Sequence, residues 1–208
     1  MAEAKKQGIE KILQGTVVVL CVSIVAVMAF LVKDVFFARK LSAPRTSIEK
    51  QLADAERVIK NNPEDVKGYL MLGITYSEMG KYKEAEEQYS NAIKIDKGYP
   101  RTYYLMSLNY EKAGKITKAI DILKKVKNDE QSLFQLGRLY TVQKDYKKAI
   151  ETLKKALSKR ETASDTLYYL GLAYEKQGNK KEAAGYYQKA LKFAPDFELA
   201  SNALKRVK

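Results

Sequence analysis

The sequence predicts an all-α protein whose helices pair and stack into a solenoid, preceded by one apolar segment. Three observations predict it. A short phrase recurs: Tyr69-x2-Leu72-Gly73-x2-Tyr76 returns as Leu133-x2-Leu136-Gly137-x2-Tyr140 and as Leu167-x2-Leu170-Gly171-x2-Tyr174. From Thr46 onward, helix formers dominate, proline is scarce and no strand pattern is evident. Ile12–Val32 are 21 consecutive uncharged residues, 13 of them Leu, Ile, Val or Phe.

Residues 1–11 form a short charged tail. As a helix, the segment 12–32 would be about 30 Å long, the thickness of a bilayer's hydrocarbon core. Its apolar side chains favour insertion by roughly 4–8 kcal/mol, less a cost for Gln14, Gly15, Thr16 and Ser23. Lys11 and Lys33 bracket the segment and can snorkel to the two interfaces. The helix can extend to about residue 40, with Phe36 and Phe37 at the second interface. A cleaved leader would have a shorter apolar core and a small-x-small site, which Lys33-Asp34-Val35-Phe36-Phe37 lacks. The expectation is therefore a permanent single-pass transmembrane helix lying in the lipid bilayer of a bacterial plasma membrane. Basic residues are nearly balanced around it. The short charged tail before the apolar run favours a cytoplasmic N-terminus, with the rest outside the cytoplasm. Residues 33–46 read as a juxtamembrane linker.

A leading helix is expected over 47–62, with Thr46 and Ser47 as caps and Ile48, Leu52, Ala55, Val58 and Ile59 on one stripe. Repeats follow near 66–99, 100–129, 130–163 and 164–195. Their marker positions are Leu72, Met106, Leu136 and Leu170, spaced 34, 30 and 34 residues apart. Each has a second half: Ala85-x3-Tyr89, Ala119-x3-Leu123, Ala149-x3-Leu153 and Ala183-x3-Tyr187. Ala92, Val126, Ala156 and Ala190 lie three positions further on. Gly73, Gly137 and Gly171 would let paired helices approach closely. Gly80, Gly114 and Gly178 fall where a left-handed turn is needed. Lys144-Asp145 occupies that place in the third repeat, so a differently built turn is expected there. The second repeat departs twice. It carries Ser107 in the glycine position, and it is short across Lys125–Glu130, through either a tolerated loop deletion or a kink that shapes the binding surface. A capping helix is expected over 196–208, with Asp196 as its cap.

Taken together these spaced positions resemble the tetratricopeptide repeat family, over roughly residues 47–208. The resemblance implies a right-handed superhelical solenoid of about four repeats with leading and capping helices. It also implies a protein-binding role and a concave surface lined by the first helix of each repeat. The side chains so placed are Leu70 and Ile74, Tyr104 and Leu108, Phe134 and Arg138, and Tyr168 and Leu172. Ser77, Glu111, Thr141 and Glu175 lie one turn on. This is an apolar, aromatic groove with one central cation, Arg138, suited to a protein segment or peptide with apolar anchors. Family members that grip a terminal carboxylate use Lys, Asn and Arg in the groove. Leu70, Ile74, Gln131 and Gln135 do not supply that clamp.

Composition narrows the function. The sequence has no histidine and one cysteine, Cys21, inside the apolar segment. Histidine-based nucleophilic triads and histidine-ligated metals are thereby removed, and no phosphate-cradling loop is present. The expectation is a non-enzymatic module without cofactor, metal or small-molecule substrate. Net charge is +13, of which residues 1–45 contribute +4 and the remainder +9. Lysines alternate with acids, as on a solvated face, and no nucleic-acid motif accompanies them, so no nucleic-acid partner is expected. The reading is a membrane-anchored scaffold or adaptor that recruits a protein partner, itself membrane-associated, to a membrane complex. It resembles bacterial anchored repeat proteins of cytochrome c maturation, pilus assembly or secretion. A structural accessory subunit of a membrane enzyme complex and a preprotein receptor are the alternatives.

Overall fold

The computed structural model describes residues 46–208. The expected tail, transmembrane helix and linker lie outside the described residues. Among the described residues, no helix is long and apolar enough to cross a membrane.

Ten helices are described, and no strand. A leading helix, α1 (Ser47–Asn61), precedes four antiparallel pairs. These are α2 (Val66–Glu78) with α3 (Tyr82–Ile95), and α4 (Pro100–Lys112) with α5 (Ile116–Leu123). They continue as α6 (Glu130–Val142) with α7 (Tyr146–Leu157), and α8 (Ser164–Lys176) with α9 (Lys180–Phe193). A last helix, α10 (Glu198–Val207), covers the final pair. Successive first helices α2, α4, α6, α8 and α10 touch one another, whereas no two second helices touch. The first helices therefore lie on the inside of the curve and the second helices outside it.

Small residues set the closeness of each pair. A Cβ added at Gly73 would lie 2.5 Å from the Tyr89 ring, one at Gly171 would lie 2.6 Å from the Tyr187 ring, and one at Gly137 would lie 2.5 Å from Leu153 Cγ. Ala85, Ala119, Ala149 and Ala183 are fully buried on the facing helices. Ser107 fills the glycine position in the second pair and is also fully buried, its hydroxyl donating to the Tyr104 carbonyl at 2.6 Å. There α5, at eight residues, meets α4 over a shorter stretch than its counterparts of 14, 12 and 14 residues meet theirs.

The third turn is not built differently. Lys144 has φ 63°, in the region held by Gly80 (75°), Gly114 (73°) and Gly178 (88°) at the other turns. A Cβ in that region costs about 1–2 kcal/mol. Lys144→Gly is expected to raise stability by about 1 kcal/mol in urea unfolding. A decrease would show that the lysine side chain contributes more than its backbone costs.

Helix starts follow local chemistry. Asp65 accepts from Lys67 N, Asp129 from Ser132 N and Asp145 from Lys148 N, satisfying first-turn donors. Asp196 does not play this part. The cap position of α10 is Phe197, without a side-chain hydrogen bond.

The second repeat is short in α5 and not, as expected, in the loop after it: residues 124–129 form a loop no shorter than its counterparts 96–99, 158–163 and 194–197. A cleft of about 350 Å³ lies between residues 97–103 and 125–129. That cleft is on the edge where one repeat passes to the next.

Candidate functional site

Seven of the eight expected groove residues are half-buried on the inner helices: Ile74, Tyr104, Leu108, Phe134, Arg138, Tyr168 and Leu172. Leu70 is the exception. It is 5% exposed and belongs to the core shared by α2, α3 and α4. Tyr104, Phe134 and Tyr168, in the equivalent places of the later repeats, are larger and remain half-buried.

Aromatic rings form a continuous wall at the C-terminal half. Phe134 meets Tyr169 edge-on at 5.6 Å between ring centres, and Tyr169 meets Tyr168 at 5.3 Å. Tyr168 also leans on Phe197 at 5.4 Å and on Tyr187 at 5.8 Å. Such contacts stabilise by about 0.5–1.5 kcal/mol each beyond burial, and they fix the rings before any ligand arrives. Tyr169 was not among the expected residues. Its neighbour Tyr168 was placed by spacing, and the ring one position on bridges to the previous repeat.

Arg138 is not a free cation. Its guanidinium bonds to the Glu111 carboxylate of the preceding pair, and its Nε donates to Gln135 Oε1 at 3.0 Å. Gln135 Nε2 donates to the same Glu111 carboxylate at 2.8 Å. The Arg138 charge is therefore paired within the solenoid.

Glu175 closes the far end. It accepts from Arg206 Nε at 2.7 Å, from Arg206 Nη2 at 2.9 Å and from the Tyr187 hydroxyl at 2.7 Å. Arg206 lies on α10, so this bridge pins the last helix to α8. The Arg206 hydrogen bonds hold the Glu175 carboxyl below its ordinary value of 4.5, against partial burial, which pushes it up; the Tyr187 hydroxyl adds to the lowering. A depressed carboxylate contributes stability that is present above 4.5 and lost as pH falls through the lower folded value. Thermal stability of the wild type is expected to fall more steeply below pH 4.5 than that of Glu175→Gln. Parallel pH profiles for the two proteins would contradict the bridge.

Of the polar neighbours, Ser77 is buried, and the Thr141 hydroxyl donates to the Gly137 carbonyl at 3.0 Å. Val142, one turn beyond Arg138, is 54% exposed and extends the apolar surface. No group of three or more His, Cys, Asp or Glu that could hold a metal occurs among the described residues.

Tetratricopeptide repeat models match residues 66–99, 101–130, 137–178 and 164–197. The chain is 28% identical over 168 residues to the antiviral innate immune response effector IFIT1 of Macaca fascicularis, covering 74% of this chain and 33% of that protein. It is 26% identical over 126 residues to lipopolysaccharide assembly protein B of Escherichia coli K12, covering 56% of this chain and 32% of that protein. The chain thus spans about a third of the length of these relatives. Among solved structures it is similar to YrrB, a tetratricopeptide protein with an unusual peptide-binding site. That match has a TM-score of 0.62 and 21% identity, over 85% of this chain and 88% of the other, which is a likeness of fold. With helix pairs, glycine contacts and repeat models coinciding across residues 66–197, the chain belongs to the tetratricopeptide repeat family.

Proposed function

We propose that the chain is a non-catalytic, membrane-anchored adaptor that holds a protein or peptide with apolar side chains in its concave groove and recruits it to a membrane complex. One observation carries this reading. The inner helices leave Ile74, Tyr104, Leu108, Phe134 and Leu172 half-buried, while the one cation among them, Arg138, is paired with Glu111. The apolar area they still present on a preformed concave face gains by covering, and an internally paired arginine does not select for an acid. YrrB's peptide-binding site and the assembly role in lipopolysaccharide assembly protein B's name fit the same mode of action. The uncharged segment Ile12–Val32 supports a bilayer anchor, which would raise the effective concentration for membrane-bound partners.

Affinity purification from detergent-solubilised membranes tests the groove. Tyr104→Ala/Phe134→Ala is expected to lose the partners that the wild-type chain retains, by at least about tenfold, because each ring supplies hot-spot area. Partners retained at wild-type level, with the double variant folded by circular dichroism, would sink the reading. Protease protection in sealed vesicles reports the side. Cleavage of the repeats only from the extracytoplasmic face supports the orientation proposed from the charged tail.

A further inference from the structure

We infer that the edge of the solenoid formed by its within-pair turns is a docking surface for anionic phospholipid headgroups. This deepens the membrane-anchored reading and rests on it for the identity of the ligand.

The positive charge of the solenoid is unevenly placed. Residues 75–85, 109–119, 139–149, 173–183 and 204–208, where first helices end and second helices begin, hold 14 Lys or Arg against 6 Asp or Glu. The opposite edge, residues 58–69, 92–103, 123–133, 156–167 and 190–200, holds 11 against 9. Three of the six acids on the turn edge are already engaged: Glu111 by Arg138, Asp145 by Lys148 and Glu175 by Arg206. Lys112, Lys144, Lys147, Lys180 and Lys181 are exposed and form no ion pair among the described residues. An edge of this kind attracts a negatively charged plane.

The membrane-anchored reading selects a bilayer over other polyanions, and the described chain begins on this edge. Gly68, at the start of α2, lies against Val58 and Ile59, at the end of α1. The two helices are therefore antiparallel, and α1 begins beside the end of α2, on the turn edge. The described chain thus begins, at Thr46 and Ser47, on the basic edge. Each lysine at an anionic surface raises association about fivefold, and the attraction fades beyond about 8 Å at physiological salt. Of the tyrosines on this edge, Tyr110 and Tyr140 are buried beneath Lys118 and Lys148, at 5.6 and 5.7 Å, and Tyr76, Tyr82, Tyr146 and Tyr174 are half-buried.

Lysine acetylation footprinting of the full chain tests this. The chain is reconstituted into phosphatidylcholine vesicles or phosphatidylcholine–phosphatidylglycerol vesicles, floated, and mapped by mass spectrometry. Lys112, Lys144, Lys147, Lys180 and Lys181 are expected to be protected about fivefold in the anionic vesicles relative to the neutral ones, with protection lost at high salt. Lys97, Lys127 and Lys159 on the opposite edge are expected to react equally in both. Lys112→Glu/Lys147→Glu/Lys181→Glu, all exposed positions, is expected to abolish protection of Lys144 and Lys180 with circular dichroism unchanged. A chain that floats with both vesicles but shows equal turn-edge reactivity would overturn the inference and leave the anchor standing. Flotation with anionic vesicles alone, with the turn edge protected, would overturn the anchor and support the edge. Protection by single-stranded RNA but not by anionic vesicles would overturn the inference and assign the edge to nucleic acid.

Discussion

Gly137→Val is expected to destabilise the solenoid by about 3 kcal/mol. The inserted Cβ would lie 2.5 Å from Leu153 Cγ and 3.3 Å from Leu153 N; Leu153 is fully buried, so its side chain turns away only by displacing its neighbours, and the backbone nitrogen stays in place. Helix α7 must move away from α6, and the branched methyls widen the gap further. Valine's better helix propensity returns only about half a kcal/mol of that. Gly185 provides the control. It sits inside α9, and a Cβ there meets nothing within 4 Å. Gly185→Ala is expected to stabilise by about 1 kcal/mol through helix propensity alone. Urea unfolding of both variants reads the difference directly. Two changes of the same sign would show that propensity, not pair spacing, governs these glycines.

Tyr187→Ala is expected to cost about 3–5 kcal/mol, as for other buried aromatics cut back to alanine. Tyr187 is fully buried, and its ring fills the space that Gly171 leaves. Its hydroxyl donates to Glu175, and burial followed by that carboxylate pushes its own ionisation well above the ordinary tyrosine range. Loss of the ring opens a cavity between α8, α9 and α10 and leaves Glu175 held by Arg206 alone. Tyr187→Phe keeps the ring and removes only the hydrogen bond, with an expected cost of about 1–2 kcal/mol. Equal losses in the two variants would mean that the polar contact, not packing, dominates. Because a solenoid is stabilised through neighbouring units, the alanine variant is expected to fray from α10 inward. Hydrogen exchange should then rise first over residues 180–207.

The repeat pairs were legible because their determinants are local and periodic. Gly73, Gly137 and Gly171 recur with the large side chains they face, and the helix pairs follow. What the sequence left unread depends on contacts between repeats. Arg138 reads as a lone cation until Glu111, 27 residues earlier, is placed against it by stacking. Lys144 carries no signal for a left-handed backbone, and the pair geometry imposes it. Leu70 shares its position with Tyr104, Phe134 and Tyr168, yet it is buried in the core while they stay half-buried. The scattered lysines read as a solvated outer surface, yet antiparallel pairing gathers many of them along one edge.

Site-specific photo-crosslinking in native membranes tests groove binding most directly. A photoreactive residue is placed at Leu108 or Leu172 on the inner helices, and at Glu87 or Glu151 on exposed faces of the second helices. Groove binding predicts partner adducts from Leu108 and Leu172 and none from Glu87 or Glu151. Adducts from Glu87 and Glu151, with none from Leu108 or Leu172, would contradict it.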